Sequence, residues 1–118
     1  HTVGALLEKY PVLFGRIKEW IRSENRWVRR ASAVSFIVPA RRGLFLPEIL
    51  EIAESLLTDD DDLVRKGYGW LLKTAAEAHQ DVIFEFIMRH KAEMPRTALR
   101  YAIEKMPPEL KRMAMEKG

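Results

Sequence analysis

The sequence contains no cysteine among its 118 residues. This absence excludes disulfide bonds, thiolate metal sites and cysteine nucleophiles, and it fits a reducing compartment such as the cytoplasm. No apolar run approaches the roughly 18 residues that cross a bilayer, so we predict no membrane segment. The alternation of valine, isoleucine and threonine that predicts strands is missing, as are the Asn-Gly and Asp-Gly dipeptides typical of hairpins. We therefore expect an all-α protein in the cytoplasm.

Side chains that usually carry catalysis or bind metals are few and scattered. The three histidines are not spaced to place two ligands on one helical face, which argues against a zinc site. The serines lack the Gly-x-Ser-x-Gly turn of hydrolases. The glycine-rich stretch at residues 67–70 (GYGW) falls inside a predicted helix, so it does not resemble a phosphate loop. We expect neither a metal nor another cofactor.

The charge is distributed unevenly along the chain. Residues 16–42 carry a net charge of +6, residues 43–64 carry −7 and residues 65–118 carry +4. A basic segment that faces one way attracts phosphate even though the whole chain has a net charge of only +3. Its length and its 47% of hydrophobic residues suit one domain over residues 1–118, which we interpret as a fragment or processed product of a longer protein.

Prolines and short polar residues predict where the helices begin. Proline fits the first helical turn because it has no N–H to leave unpaired there, and asparagine or aspartate caps the free N–H groups of a helix start. The helices are predicted at residues 2–9, 11–23, 25–38, 46–58, 61–78, 80–93, 95–105 and 108–117.

These helices form a repeat. Shifting the sequence by 36 residues aligns residues 27–31 (WVRRA) with residues 63–67 (LVRKG), and a weaker third copy begins at Ala98. The period is close to that of HEAT-type helical hairpins, which predicts an α-solenoid built of HEAT-like repeats. In this register Trp27 and Leu63 are equivalent, and both are expected to be buried.

The three repeated helices carry arginine or lysine at equivalent positions. Stacked side by side and roughly parallel on the concave face, they predict one basic stripe, with the acidic side chains of residues 43–64 lying away from it. Arg29 and Arg65 have a second interpretation, in which each pairs with an acidic group of the neighbouring repeat. The residues of this stripe predicted to bind a phosphate-bearing ligand such as a nucleic acid are Arg26, Arg30, Lys66, Lys73 and Arg100.

Gly67 and Gly69 are unusual within a helix, where each costs about 1 kcal/mol relative to alanine. Either a neighbouring helix or a ligand is expected to approach the backbone closely there. Trp70 follows directly, and an aromatic face beside cations is suited to stacking on bases while the cations hold phosphates. Trp20 and Trp27 occupy apolar helical positions, so we interpret both as core residues.

Two motifs in this order resemble a known family. Residues 23–32 (SENRWVRRAS), followed by residues 64–73 (VRKGYGWLLK), are similar to the AlkD-like family of DNA alkylation-repair proteins, and residues 3–11 (VGALLEKYP) extend the similarity. The resemblance implies the C-terminal portion of a HEAT-like solenoid. It also implies a DNA glycosylase that removes cationic alkylated purines from duplex DNA, without metal or nucleotide cofactor.

The resemblance also implies roles for particular residues. Arg30 would border the active site and help to hold the DNA backbone, and Trp70 would form a wall against the lesion nucleotide, so both are candidate catalytic residues. Lys73 occupies a basic position of the same helix. The family also uses an aspartate and another aromatic on a helix that would precede His1, and without that aspartate we expect the 118-residue chain to release no base.

Three functions stay open from the sequence. The first is the C-terminal part of a DNA glycosylase, and the second is a DNA-binding HEAT module without catalysis. The third is a protein-interaction scaffold, in which the acidic segment would matter as much as the basic stripe. For the first, we expect a monomer whose partner is double-stranded DNA, with no membrane contact.

Overall fold

The computed structural model describes residues 14–116 of the chain. That part is built of helices joined by turns and contains no strand, as the sequence predicts. None of these helices combines the length and hydrophobicity needed to span a bilayer. The helices are α1 (Phe14–Trp20), α2 (Arg26–Val34), α3 (Ile37–Arg41), α4 (Leu46–Leu56), α5 (Asp62–His90), α6 (Arg96–Ile103) and α7 (Pro108–Met115).

The helix starts predicted at residues 25, 46, 61, 95 and 108 agree with the structure within one residue, and the start predicted at residue 11 lies outside the described residues. Pro47 lies in the first turn of α4, Pro108 begins α7 and Pro95 directly precedes α6. The helix predicted at residues 2–9 lies outside the described residues. The helix predicted at 25–38 ends at Val34 and is followed by the short α3, because a continuing helix would bring the ring of Pro39 against the carbonyl of residue 35.

The starts of α2 and α5 repeat the same hydrogen bonds at an offset of 36 residues. The side chain of Asn25 accepts from the Trp27 N–H at 2.8 Å, and that of Asp61 accepts from the Leu63 N–H at 2.9 Å. The backbone N–H of each capping residue donates in turn to the side chain two residues earlier, Ser23 in one case and Asp59 in the other. The 36-residue repeat predicted from the sequence therefore includes the hydrogen bonds at the start of each helix.

Helix α5 covers two predicted helices. The prediction separates residues 61–78 from residues 80–93, and the structure joins them without a loop. His79 nevertheless has non-helical dihedral angles, with φ −135° and ψ 51°, so the break falls at the predicted position. The His79 Nε2 lies 3.0 Å from the carbonyl oxygen of Gly43, in the turn that connects α3 to α4.

Helix α5 is the centre of the packing. It contacts α2, α3 and α4 on one side and α6 on another, and its residues Tyr68, Leu71 and Leu72 are fully buried. The hydroxyl of Tyr68 donates to the carbonyl oxygen of Leu57 at 2.7 Å. Burial raises the pKa of Tyr68 far above its ordinary value, because ionisation would place a charge in the apolar core.

This burial predicts a loss of stability at high pH. The unfolded chain releases the Tyr68 proton near pH 10, whereas the folded protein keeps it, so the free energy of unfolding should fall by about 1.4 kcal/mol per pH unit above pH 10 from this group alone. Tyr68→Phe should flatten the alkaline decline measured by urea unfolding between pH 10 and 12. An equally steep decline in the variant would contradict this origin.

The interpretation of Trp27 as a core residue is wrong. Its side chain is 61% exposed, and Leu63, its equivalent in the repeat, is only half-buried. The buried face of α2 carries Ser32 and Ala33, and helix geometry places Trp27 on the far side from both. Trp20, interpreted in the same way, is half-buried and packs against the core.

Candidate nucleic-acid interface

Two glycines let α5 lie close to a neighbour on each side. A Cβ atom at Gly67 would lie 3.1 Å from the Cγ atom of Arg30 on α2. At Gly69 it would lie 2.8 Å from the Cβ atom of Tyr101 and 2.9 Å from the carbonyl oxygen of Ala98, both on α6. Of the two explanations open from the sequence, close packing of neighbouring helices therefore accounts for both glycines.

The contacts along α5 show how its neighbours run. On one side, Asp61 pairs with Arg26, and Gly67 contacts Arg30 further along both helices. On the other side, Gly69 contacts Ala98, and Lys73 reaches Glu104. Both sets of partners advance in the same direction, so α2, the first half of α5 and α6 lie side by side and run parallel.

The solvent-facing strip of α5 between these neighbours carries Lys66, Trp70 and Lys73, and we call it the central face. Positions spaced by three and four residues share one side of a helix, which brings these three side chains together. Trp70 is 38% exposed, so it does not fill a gap in the core behind the glycines. A cleft of about 260 Å³ opens beside Lys73, between α5 and α6.

Two of the predicted DNA-binding residues carry a positive charge that is not paired with a carboxylate. Among residues 14–116, neither Arg30 nor Arg100 has an ion-pair partner. Arg30 is half-buried because its aliphatic stem packs on Gly67, whereas Arg100 is exposed on α6. Both guanidinium groups are free to take an anionic partner.

The other three predicted residues pair with carboxylates, and two of these carboxylates, Asp61 and Asp62, belong to the acidic segment that was expected to lie away from the basic stripe. Their partners are close: Arg26 Nε is 3.1 Å from Asp61, Lys66 Nζ is 3.2 Å from Asp62 and Lys73 Nζ is 3.2 Å from Glu104. Asp61 and Asp62 lie there because α5 begins beside the start of α2. The acidic residues that open α5 are thereby brought against the basic residues of both helices.

Two of these cations also lie over aromatic rings. The guanidinium carbon of Arg26 is 5.7 Å from the centre of the Trp27 ring, and Lys73 Nζ is 5.9 Å from that of Tyr101. The sequence did not single out Trp27, Tyr101 or Glu104 as partners of these cations. For Trp27 a signal was present, because a residue two positions after an N-cap is in the first helical turn and can face away from the core.

Arg29 and Arg65 both hold the turns of the repeat. Arg29 Nε donates to the carboxylate of Asp59 at 2.9 Å, and its Nη1 donates to the carbonyl oxygen of Ser23 at 2.9 Å. This confirms for Arg29 the pairing with an acidic group of the neighbouring repeat. Arg65 instead donates to the backbone carbonyl of Asp59 at 2.7 Å, which repeats the bond to Ser23 at an offset of 36 residues.

Arg29→Ala should lower stability rather than affect a ligand. The Asp59 carboxylate and the guanidinium are both largely buried, with 13% and 20% of their side chains exposed, so the loss is expected to be about 1.5 kcal/mol. Arg112→Ala, which breaks an exposed pair with Glu116, should change stability by less than about 0.5 kcal/mol. Thermal unfolding of the two variants checks this, and equal midpoints would contradict it.

The part of the chain that the structure describes holds no group of three or more His, Asp or Glu side chains that could bind a metal.

A comparison with protein-family models matches residues 1–106 to the family described as DNA alkylation repair enzyme. A comparison with curated proteins finds no match. The matched region includes both motifs, at residues 23–32 and 64–73, and helices α1 to α6. It therefore confirms the family resemblance that these motifs indicated. The chain belongs to the DNA alkylation repair enzyme family.

Proposed function

We propose that this chain is part of a HEAT-like α-solenoid that binds duplex DNA and acts as a glycosylase on alkylated purines. The observation that carries the proposal is the partly exposed indole of Trp70, set between Lys66 and Lys73 on the central face. The parallel packing of α2, α5 and α6 and the repeated capping turns support the solenoid. We also expect a cytoplasmic monomer that requires neither metal nor cofactor.

The positive side chains are suited to hold the phosphate backbone. Arg30 lies beside the central face, because its stem packs against Gly67, and Arg100 lies on the next helix. A guanidinium can form two parallel hydrogen bonds to one phosphate, which fixes both position and orientation. Contacts of this kind position a duplex without reading its sequence, as a repair protein that must scan any sequence requires.

Trp70 is suited to the damaged base. An alkylated purine can carry a full positive charge, and such a cation is attracted to the face of an indole more strongly than a neutral purine is. Base stacking on an aromatic side chain adds a contribution that does not depend on sequence. Trp70 would therefore favour the lesion nucleotide over its undamaged neighbours.

The chemical step requires a negative charge near the sugar, because positive charge develops there as the glycosidic bond breaks. The resemblance assigns that role to an aspartate that is not among these residues. We therefore assign to Arg30 and Trp70 the positioning of the backbone and of the lesion at the active site.

A double substitution tests the DNA-binding part of the proposal. Arg30→Ala with Lys66→Ala should weaken the binding of an undamaged duplex about five-fold, with no sequence preference, and should reduce the slope of log K against log salt by about 1 to 2. Fluorescence anisotropy with a labelled duplex over a series of salt concentrations measures both. An unchanged salt slope would count against the proposal.

The matched control removes two positive charges elsewhere. Arg89 and Arg112 are exposed and pair with acidic residues of their own helix turns. Arg89→Ala with Arg112→Ala changes the net charge by the same amount, so it should show what the loss of charge alone does to binding. If the two double variants bind equally, the central face is not the DNA-binding site.

A further inference from the structure

We propose that Asp62 and Glu104 are specificity-determining residues, which weaken the binding of ordinary DNA by competing with phosphate for Lys66 and Lys73. This inference rests on the proposed function. It extends that function by assigning a purpose to two acidic residues that neither the repeat nor the packing of the helices requires.

The two ion pairs have similar geometry. Lys66 Nζ is 3.2 Å from the Asp62 carboxylate one turn earlier on α5, and Lys73 Nζ is 3.2 Å from the Glu104 carboxylate at the end of α6. Both carboxylates are about half-exposed, so water and ions reach them. Each carboxylate takes one of the three N–H donors of its lysine and repels a phosphate that approaches the other two.

Other acidic residues at the start of α5 make hydrogen bonds that hold the fold together, and Asp62 and Glu104 do not. Asp59 holds Arg29 and the N–H of Asp61, and Asp61 caps α5. Among residues 14–116, the side chains of Asp62 and Glu104 have no polar contact other than the lysine that each pairs with. Asp62 also lies in the first turn of α5, where its negative charge favours the helix, so its neutralisation should cost no more than about 0.3–1 kcal/mol and leave the fold unchanged.

The position of the pairs determines their effect on specificity. Lys66 and Lys73 lie one turn before and one turn after Trp70, so the two ion pairs lie on either side of the indole. Each carboxylate cancels the charge of its lysine, so the phosphates of any duplex are attracted less strongly than they would be by two free ammonium groups. For the same reason a purine that carries a positive charge is repelled less, and only a damaged base carries that charge.

The acidic residues should therefore lower affinity for undamaged DNA more than affinity for alkylated DNA. Exposed pairs of this kind contribute little to stability, and each neutralised carboxylate is expected to change affinity about two- to five-fold. Two freed lysines should also make the salt dependence steeper, by about 1 to 2 in the slope of log K against log salt.

The experiment compares Asp62→Asn, Glu104→Gln and the double variant with the unaltered chain. Two labelled duplexes are used, identical except that one carries a single N7-methylguanine. The double variant should bind the undamaged duplex about 5- to 20-fold more tightly, with a thermal midpoint close to that of the unaltered chain. Its preference for the methylated duplex should fall.

The control is Glu85→Gln with Glu116→Gln, which removes two negative charges from exposed pairs with Arg89 and Arg112. It should tighten binding less than two-fold. If the unaltered chain binds duplex and the double variant gains no more than the control, the inference is wrong and the proposed function stands. An unchanged preference for methylated DNA would also overturn it. If no variant binds either duplex, both proposals fail.

Discussion

Gly69→Ala is expected to destabilise the protein by about 3 kcal/mol, the upper end of the range for overpacked interiors. The added Cβ would lie 2.8 Å from the Tyr101 Cβ and 2.9 Å from the Ala98 carbonyl oxygen. The carbonyl belongs to the backbone, so α6 as a whole would have to move away from α5. Thermal unfolding should show a midpoint lower by roughly 10 °C.

Gly67→Ala provides the matched comparison within the same helix. There the added Cβ would lie 3.1 Å from the Arg30 Cγ, which belongs to a flexible side chain that can shift by a few tenths of an ångström. Alanine also favours the helix by about 1 kcal/mol over glycine, so the net change should be near zero. If Gly67→Ala is as destabilising as Gly69→Ala, the difference between the two contacts is not what decides stability.

Trp70→Ala is expected to reduce affinity for a duplex with one N7-methylguanine by about 30-fold, or about 2 kcal/mol. Affinity for the undamaged duplex should fall much less, because phosphate contacts account for most of that binding. Since the residue is 38% exposed, the free energy of unfolding should fall by about 2 kcal/mol, which is less than for a fully buried tryptophan. Anisotropy with both duplexes and a thermal melt measure these quantities together.

Trp27→Ala is the control for Trp70→Ala, because it removes an equally large and more exposed indole that is not part of the central face. It should leave the preference for methylated DNA unchanged. If Trp70→Ala instead costs about 3–5 kcal/mol of stability, as truncations of buried tryptophans do, Trp70 is a packing residue and should be withdrawn from the site.

The sequence was sufficient for the features that depend on local chemistry. Caps such as Asn25 and Asp61 and the prolines at helix starts act within one turn of backbone, so their positions in the chain translate directly into helix boundaries. The two glycines were equally informative, because glycine destabilises a helix and is expected there only where something lies close to the backbone. A close neighbour could therefore be predicted at Gly67 and Gly69, although the sequence did not show whether it was a helix or a ligand.

The features that depend on how helix ends meet could not be predicted in the same way. A repeat offset gives equivalent positions, but Trp27 and Leu63 differ in burial because different neighbours lie beside the two helices. The net charges of sequence segments likewise do not show that the start of α5 lies beside the start of α2. Because of this arrangement, Asp61 and Asp62 lie among the basic residues, although the acidic segment was expected to lie away from them.

The non-helical dihedral angles of His79 divide α5 into two lengths of helix, residues 62–78 and residues 80–90. Proteins open locally in contiguous cooperative units. In native-state hydrogen exchange, the amides of residues 62–78, which are packed between α2 and α6, should exchange together and more slowly than those of residues 80–90. The residues that hold the central face in place would then keep their arrangement while the end of the same helix opens and closes.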